Sequence, residues 1–254
     1  VRQMTVKDIF DYINSFAPFE TQSEWDNAGI LAGSPDAEVT AAVVGLDVTP
    51  HEIALAVKEK AELIISHHPL IFKPVKRILS SDISYLTAEN HLNVISAHTN
   101  FDKACGGVND LLCEAVGLEY KKLSGDIADG FLNIMCCPNG FSALEFAELL
   151  SKKLSASVRF ADSKHKISKI AVCSGSGAEF LDDAAALGCD AFLTGDSSYH
   201  DFLNAKEMGI SLFAAGHFET ENLAAASLAE RLSANFPEIK FIVSDRQPPV
   251  ITVG

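Results

Sequence analysis

Two adjacent histidines, His67 and His68, follow the apolar run Leu63-Ile64-Ile65 and precede Pro69. The run reads as a short buried strand, and Pro69 breaks the backbone just after it, so two imidazoles stand at the C-terminal lip of a strand. Open α/β sheets place their ligands at that lip. Two further strand-like runs end in related chemistry. Val94-Ile95-Ser96-Ala97 leads to His98 with Asp102 four residues on, and Leu212-Phe213-Ala214-Ala215 leads through Gly216 to His217 with Glu221 four residues on. Imidazole with carboxylate suits Zn, Mn, Fe, Co or Ni. A histidine and a carboxylate at i and i+4 share one side of a helical turn and can reach one ion. Adjacent histidines on extended backbone point to opposite sides, which suits two ions, or one ion and a supporting role. A bridging carboxylate holds two ions about 3.5–4 Å apart, and Asp102 and Glu221 are the candidates for it.

Each piece alone has a plainer reading. A histidine pair can donate N–H groups to strand-end carbonyls, His98 with Asp102 can cap a helix, and His217 with Glu221 can open a surface helix. Three such pieces, each closing an apolar strand, point instead to one metal site. Its expected ligands are His67, His68, Asp102, His217 and Glu221, holding two divalent ions per chain. Thr99, Asn100 and Thr220 are expected to orient those ligands, whereas His51, His91 and His165 lack such a setting and read as surface residues. His98 and His200 are candidate proton shuttles; His200 reads equally well as a helix-capping residue. Ser174-Gly175-Ser176-Gly177 could cradle an anion on its backbone amides, but it has no P-loop lysine and reads better as a tight strand-to-helix turn.

The elements that must carry these residues alternate between strand and helix. A first helix is expected over residues 5–15, with Thr5 and Asp8 as a capping pair. A buried strand over 41–46, a helix opening at Thr49-Pro50 and the strand ending at Ser66 make a compact parallel unit. Helices over 82–91 and 109–116 flank the strand that ends before His98. Further along, strands at 131–136, 170–173, 191–194, 212–215, 241–243 and 250–252 are separated by helices at 141–154, 178–187 and 221–232. The two halves echo one another, because each leads through strand and helix to a strand ending in histidine-x-x-x-carboxylate. This predicts an α/β fold of two similar domains related by internal duplication, with the metal site in the cleft between them. The polar stretch 121–129 is the expected junction. The first domain is then 1–125, the second 126–221, and about 222–254 packs back on the first.

Composition narrows the classes. The chain of 254 residues is 48% hydrophobic and 21% charged, a globular profile, and no apolar run is long enough to span a membrane. Six cysteines without C-x-x-C spacing, and an N-terminus without an apolar signal region, fit a reducing cytoplasm. The net charge of −14 argues against nucleic acid as a partner, since duplex binding needs a basic stripe. The densest basic patch is Lys73, Lys76 and Arg77, just past the histidine pair.

The motifs Trp25-Asp26-Asn27-Ala28-Gly29-Ile30, Ser66-His67-His68-Pro69-Leu70-Ile71-Phe72, Ala97-His98-Thr99-Asn100-Phe101-Asp102 with Gly106-Gly107-Val108-Asn109-Asp110, Ser174-Gly175-Ser176-Gly177, Thr194-Gly195-Asp196 with Tyr199-His200, and Gly216-His217 with Thr220-Glu221 run in order through nearly the whole chain. In these the sequence resembles the dinuclear-metal family named for the NGG-interacting factor and labelled GTP cyclohydrolase I type 2. The resemblance implies two α/β domains, a two-metal site in the cleft between them and a toroidal homohexamer. By motif it implies the ligand set His67, His68, Asp102, His217 and Glu221, with His98 lining the site. Glu219 departs from the family pattern, where a small residue is common. The expected function is metal-dependent hydrolysis of a nucleotide-like or phosphorylated, hence anionic, small molecule. The alternatives are a non-catalytic metal-binding chaperone or scaffold ring and, third, a nucleic-acid-associated ring.

Overall fold

The computed structural model describes residues 3–123 and 127–250. By backbone contacts the chain divides into two units, Val1–Cys105 with Ala224–Gln247, and Gly106–Leu223 with Pro248–Gly254. The first opens with helix α1 (Val6–Phe16), started by a capping box in which Thr5 and Asp8 satisfy each other's backbone amides. Strands β1 (Gly29–Ala32) and β2 (Ala41–Gly45), helix α2 (Pro50–Glu59), strand β3 (Leu63–Ser66), helix α3 (Ile83–Glu89), strand β4 (Asn93–Ser96) and the short helix α4 (Thr99–Lys103) follow. The second unit runs through α5 (Val108–Val116), β5 (Glu119–Lys122), β6 (Asn133–Phe141), α6 (Ala143–Leu154), β7 (Arg159–Ala161), β8 (Ile167–Val172), α7 (Leu181–Ala186), β9 (Ala191–Thr194), α8 (Tyr199–Met208), β10 (Ser211–Ala214) and α9 (His217–Glu221). Helix α10 (Leu223–Asn235) returns the chain to the first unit, which β11 (Lys240–Val243) completes.

The first sheet has the order β1-β4-β3-β2-β11, parallel throughout except for β1 on β4. Every residue of β2, β3 and β4 is buried, as in strands covered on both faces. Val43, Ile64 and Val94 share a core with Ile53 and Ala56 of α2. The second sheet has the order β5-β6-β8-β9-β10-β7, with β8, β9 and β10 parallel. Its alternate residues serve opposite faces. Ile170, Val172, Leu193 and Phe213 pack with Phe146 and Leu150 of α6, whereas Ala171, Phe192 and Leu212 pack with Leu181 of α7 and Ala205 of α8.

The duplication is visible in the topology. In each unit a capping-box helix (α1 or α6) precedes an edge strand (β1 or β7). Three parallel strands follow, and the edge strand lies antiparallel on the third of them. Register aligns the strand ends, since Gly45, Ser66 and Ser96 are side by side in the first sheet and Thr194 and Ala214 in the second. Within each sheet, whatever follows these residues therefore emerges at one edge.

Several expectations differ from the structure. The first division falls at 105/106 rather than 125/126, because α5 puts Leu112, Cys113 and Val116 into the second unit's core. The edge strands β1, β5 and β7 carry no sequence signal, being three or four residues long and only partly buried. The turn at 177–180 is a 3-10 segment before α7, and the helix expected from 221 is split at Asn222 into α9 and α10. The strand expected at 250–252 lies, from residue 251 on, outside the described residues. No helix among the described residues is long and apolar enough to cross a membrane.

Candidate metal centre

In the first unit the ladder runs past β3: the His67 amide donates to the Gly45 carbonyl at 3.2 Å and the His68 amide to Leu46 at 2.8 Å. Both histidines thus start from fixed, extended backbone. The His67 ring is buried, and its Nδ1 lies 2.8 Å from the Ala97 carbonyl. A carbonyl only accepts, so Nδ1 carries a proton, and in the neutral ring Nε2 presents a lone pair. That Nε2 faces Asp102 Oδ1 at 3.5 Å. A neutral imidazole nitrogen and a carboxylate oxygen are two acceptors, and a cation between them suits both.

His68 and His98 are held in the same way. His68 Nδ1 lies 2.8 Å from Asp47 Oδ1, and Asp47 Oδ2 accepts from Arg246 Nη1 at 2.7 Å. His98 Nδ1 lies 2.8 Å from Asp26 Oδ1, and Asp26 Oδ2 accepts from the Thr99 amide at 3.1 Å and from the Thr99 hydroxyl. Burial opposes ionisation of Asp26, but the hydrogen bond and charge of His98, with Thr99 and the Asn27 amide, outweigh it and bring its pKa down to about 2. Burial likewise opposes ionisation of Asp47, and His68 together with Arg246 holds its pKa below the ordinary carboxylate value. Ionised partners hold a proton on Nδ1 and direct Nε2 outward, as supporting carboxylates do behind metal-ligating histidines. The donor atoms of His67, His68 and His98 lie within 4.8 Å of one another.

The second unit presents a smaller set. His217 is the first residue of α9, and its Nε2 lies 3.0 Å from Glu221 Oε2 one turn on. Its Nδ1 faces Asp196 Oδ2 at 2.8 Å, at the end of β9. Here glycines make the room. At Gly175 (φ +56°) a Cβ would fall 1.9 Å from Glu221 Oε1 and 3.3 Å from His217 Nε2. At Gly195 a Cβ would meet the Gly175 carbonyl and the Thr220 hydroxyl, each at 2.7 Å. The Ser174–Gly177 stretch is therefore the wall behind Glu221. As an anion cradle it has little to offer, because the amides of Ser174, Gly175 and Gly177 already donate to Asn109 Oδ1, Thr220 Oγ1 and Thr194 Oγ1.

Within the first unit the structure thus gathers His67, His68, His98 and Asp102, and within the second His217 and Glu221. His200 is exposed on α8 with its ring 5.5 Å from that of Tyr199, and among the described residues it joins none of the candidate ligand groups. Thr99 acts through Asp26; Asn100 donates to the Ala17 carbonyl; Thr220 accepts from the Gly175 amide and donates to the Gly216 carbonyl. The partners missed from sequence are Asp26, Asp47 and Asp196. Asp47 and Asp196 lie two residues past the ends of β2 and β9, so the strand-end rule that singled out the histidines also marks them.

Each of the two α/β units thus carries imidazole and carboxylate at its strand ends, donor types that suit a divalent transition metal. A family model described as Duf34/NIF3 (NGG1p interacting factor 3) matches residues 4–249. The chain belongs to that family. It is 32% identical over 252 residues to a Clostridium perfringens protein named GTP cyclohydrolase 1 type 2 homolog, covering 95% of this chain and 96% of that one. It is 36% identical over 235 residues to a Helicobacter pylori protein named GTP cyclohydrolase 1 type 2, covering 89% and 91%. The crystal structure of a Staphylococcus aureus hypothetical protein superposes with a TM-score of 0.92 at 28% identity, over 99% of this chain and 100% of that one.

Proposed function

We propose that His67, His68 and Asp102 of the first unit and His217 and Glu221 of the second hold two divalent metal ions, and that the protein is a metal-dependent hydrolase of a nucleotide-like or phosphorylated small molecule. The observation that carries this is the uniform orientation of the four imidazoles. Each of His67, His68, His98 and His217 has Nδ1 against an oxygen acceptor at 2.8 Å, so that in the neutral ring the proton sits on Nδ1 and Nε2 is the nitrogen able to ligate. When bound, a pair of divalent ions supplies Lewis acidity and makes hydroxide available near neutral pH.

The chain's own groups do the rest. Asp26 keeps the His98 proton on Nδ1, so His98 Nε2 accepts a proton from the attacking water and returns it to the leaving group. Lys73, Lys76 and Arg77, all exposed on the loop after the histidine pair, meet the substrate's anionic group. The names of the Clostridium and Helicobacter relatives make GTP the first substrate to try. The family resemblance further makes a toroidal homohexamer the expected assembly, which light scattering measures.

The test compares metal-loaded and chelator-stripped protein against GTP and a panel of nucleotides and phosphoesters. Hydrolysis by the loaded form alone is expected. If both forms leave the whole panel intact, the hydrolase assignment is lost.

A further inference from the structure

The chain has one tryptophan, and it is 58% exposed. Beside it Phe72 is 47% exposed, its ring centroid 5.9 Å from the Trp25 ring at 69°. Both rings stand edge-on to the His98 imidazole, Trp25 at 6.2 Å and 76°, Phe72 at 6.1 Å and 88°. Stability alone does not account for this: large aromatic rings contribute most when buried, and these two lie open beside the polar His98 imidazole. Nor do they sit there by looseness. Asn27 Nδ2 donates to the Ile71 carbonyl at 2.6 Å and ties the Trp25 turn to the Phe72 loop. Asp26, between Trp25 and Asn27, is the residue that holds His98. Three consecutive residues thus do three jobs at one rim: Trp25 offers a ring face, Asp26 orients an imidazole, and Asn27 locks the facing loop. The next residue after Phe72 is Lys73, with Lys76 and Arg77 close behind.

We propose that Trp25 and Phe72 form a stacking subsite for a planar heteroaromatic ring, which places the ring's polar edge toward His98 and its anionic tail toward the basic loop. This rests on the hydrolase reading for its chemistry, and it narrows the substrate from phosphorylated molecules in general to those carrying such a ring. Stacking on an aromatic side chain tolerates any flat base, because every base has a π-face. The subsite selects the ring class; it does not discriminate one base from another.

Because Trp25 is the sole tryptophan, its fluorescence reports the subsite directly. The probes are guanosine 5′-monophosphate, ribose 5-phosphate and inorganic phosphate, titrated into metal-loaded and chelator-stripped protein, with binding followed by Trp25 quenching and by equilibrium dialysis. The nucleotide is expected to quench Trp25 and to bind roughly ten- to a hundredfold more tightly than ribose 5-phosphate, from the usual worth of base stacking. Trp25→Ala and Phe72→Ala should each erase most of that advantage in dialysis, Trp25→Phe should restore part of it, and metal content should stay unchanged in all three. Equal affinity for nucleotide and ribose 5-phosphate, or undiminished nucleotide binding by both alanine variants, overturns the subsite. So does a change of oligomeric mass in the variants without loss of nucleotide binding, which would make the rim a contact between copies of this chain. Ring-dependent binding by metal-loaded protein that hydrolyses nothing in the nucleotide and phosphoester panel leaves the subsite standing while the metal-hydrolase reading falls.

Discussion

The β1–β4 half and the β7–β10 half share a topology but build their strand ends by opposite means. In the first, large polar side chains crowd the edge. Three imidazoles converge, each tied by Nδ1 to a carboxylate or carbonyl, and Arg246 and Thr99 hold those carboxylates in turn. In the second, the edge is cleared. Gly175 and Gly195 leave the space in which the Glu221 and Thr220 side chains stand, and one imidazole suffices. The two histidine-x-x-x-carboxylate echoes are also not in register. The Ala97 amide donates to Ser66 and the Ala215 amide to Thr194, so His98 corresponds to Gly216, and His217 falls one residue later. His98 accordingly caps α4, whereas His217 is the first residue of α9. The repeated topology gives each unit the same kind of strand-end edge, and each unit fills it with different chemistry.

That contrast can be broken most directly at Gly175. Gly175→Ala sets a Cβ against the Glu221 carboxylate at a left-handed φ, and should cost about 1–3 kcal/mol of stability together with most of the metal affinity. Chemical denaturation and metal competition read the two losses. A variant that keeps wild-type affinity would show that clearance is not what positions Glu221. On the crowded side the corresponding weak point is the support behind His68. Asp47→Asn should lower metal affinity by about 10- to 100-fold, and Arg246→Ala, one step further out, by less. Equal effects from the two would mean that Arg246 matters for something other than holding Asp47.

A smaller effect concerns acid. Asp26 has a folded pKa of about 2 against 3.8 for an unperturbed carboxyl, so its contribution is present above 3.8 and is lost as pH falls through about 2. The shift corresponds to about 2 kcal/mol. Asp26→Asn should therefore lose up to about that much stability where His98 is protonated and show a flatter decline between roughly pH 5 and pH 2. An unchanged acid limb would mean that another carboxylate carries it. Smallest are the paired caps. Thr5→Ala at α1 and Ser142→Ala at α6 remove equivalent capping boxes, and each should cost about 1 kcal/mol. Markedly unequal losses would show that the two copies lean on their opening helices differently.

Much of the candidate site's grouping was legible because strand ends and i, i+4 spacing are both local in sequence. His67, His68, His98 and Asp102 need only one strand–break–helix pattern each to be noticed, and the i, i+4 spacing of His217 and Glu221 is a property of one helical turn. What escaped notice depends on pairing over long separations. Asp26 reaches His98 across 72 residues and Arg246 reaches Asp47 across 199, and no local pattern announces either contact. The role of Gly175 was hidden for the same reason, since its neighbour is Glu221, far along the chain. The early division at 105/106 follows from the packing of α5, whose apolar face alone does not say which core it joins.

The central claim is that these residues hold two divalent ions per chain, and elemental analysis of protein purified without chelator and then equilibrated with Zn, Mn, Fe, Co or Ni measures it. Two tightly held ions per chain are predicted, with stoichiometric loading lost in His68→Ala and in His217→Ala while circular dichroism shows each variant folded. Protein that retains no divalent metal under any of these conditions, or variants that load as fully as wild type, would contradict it.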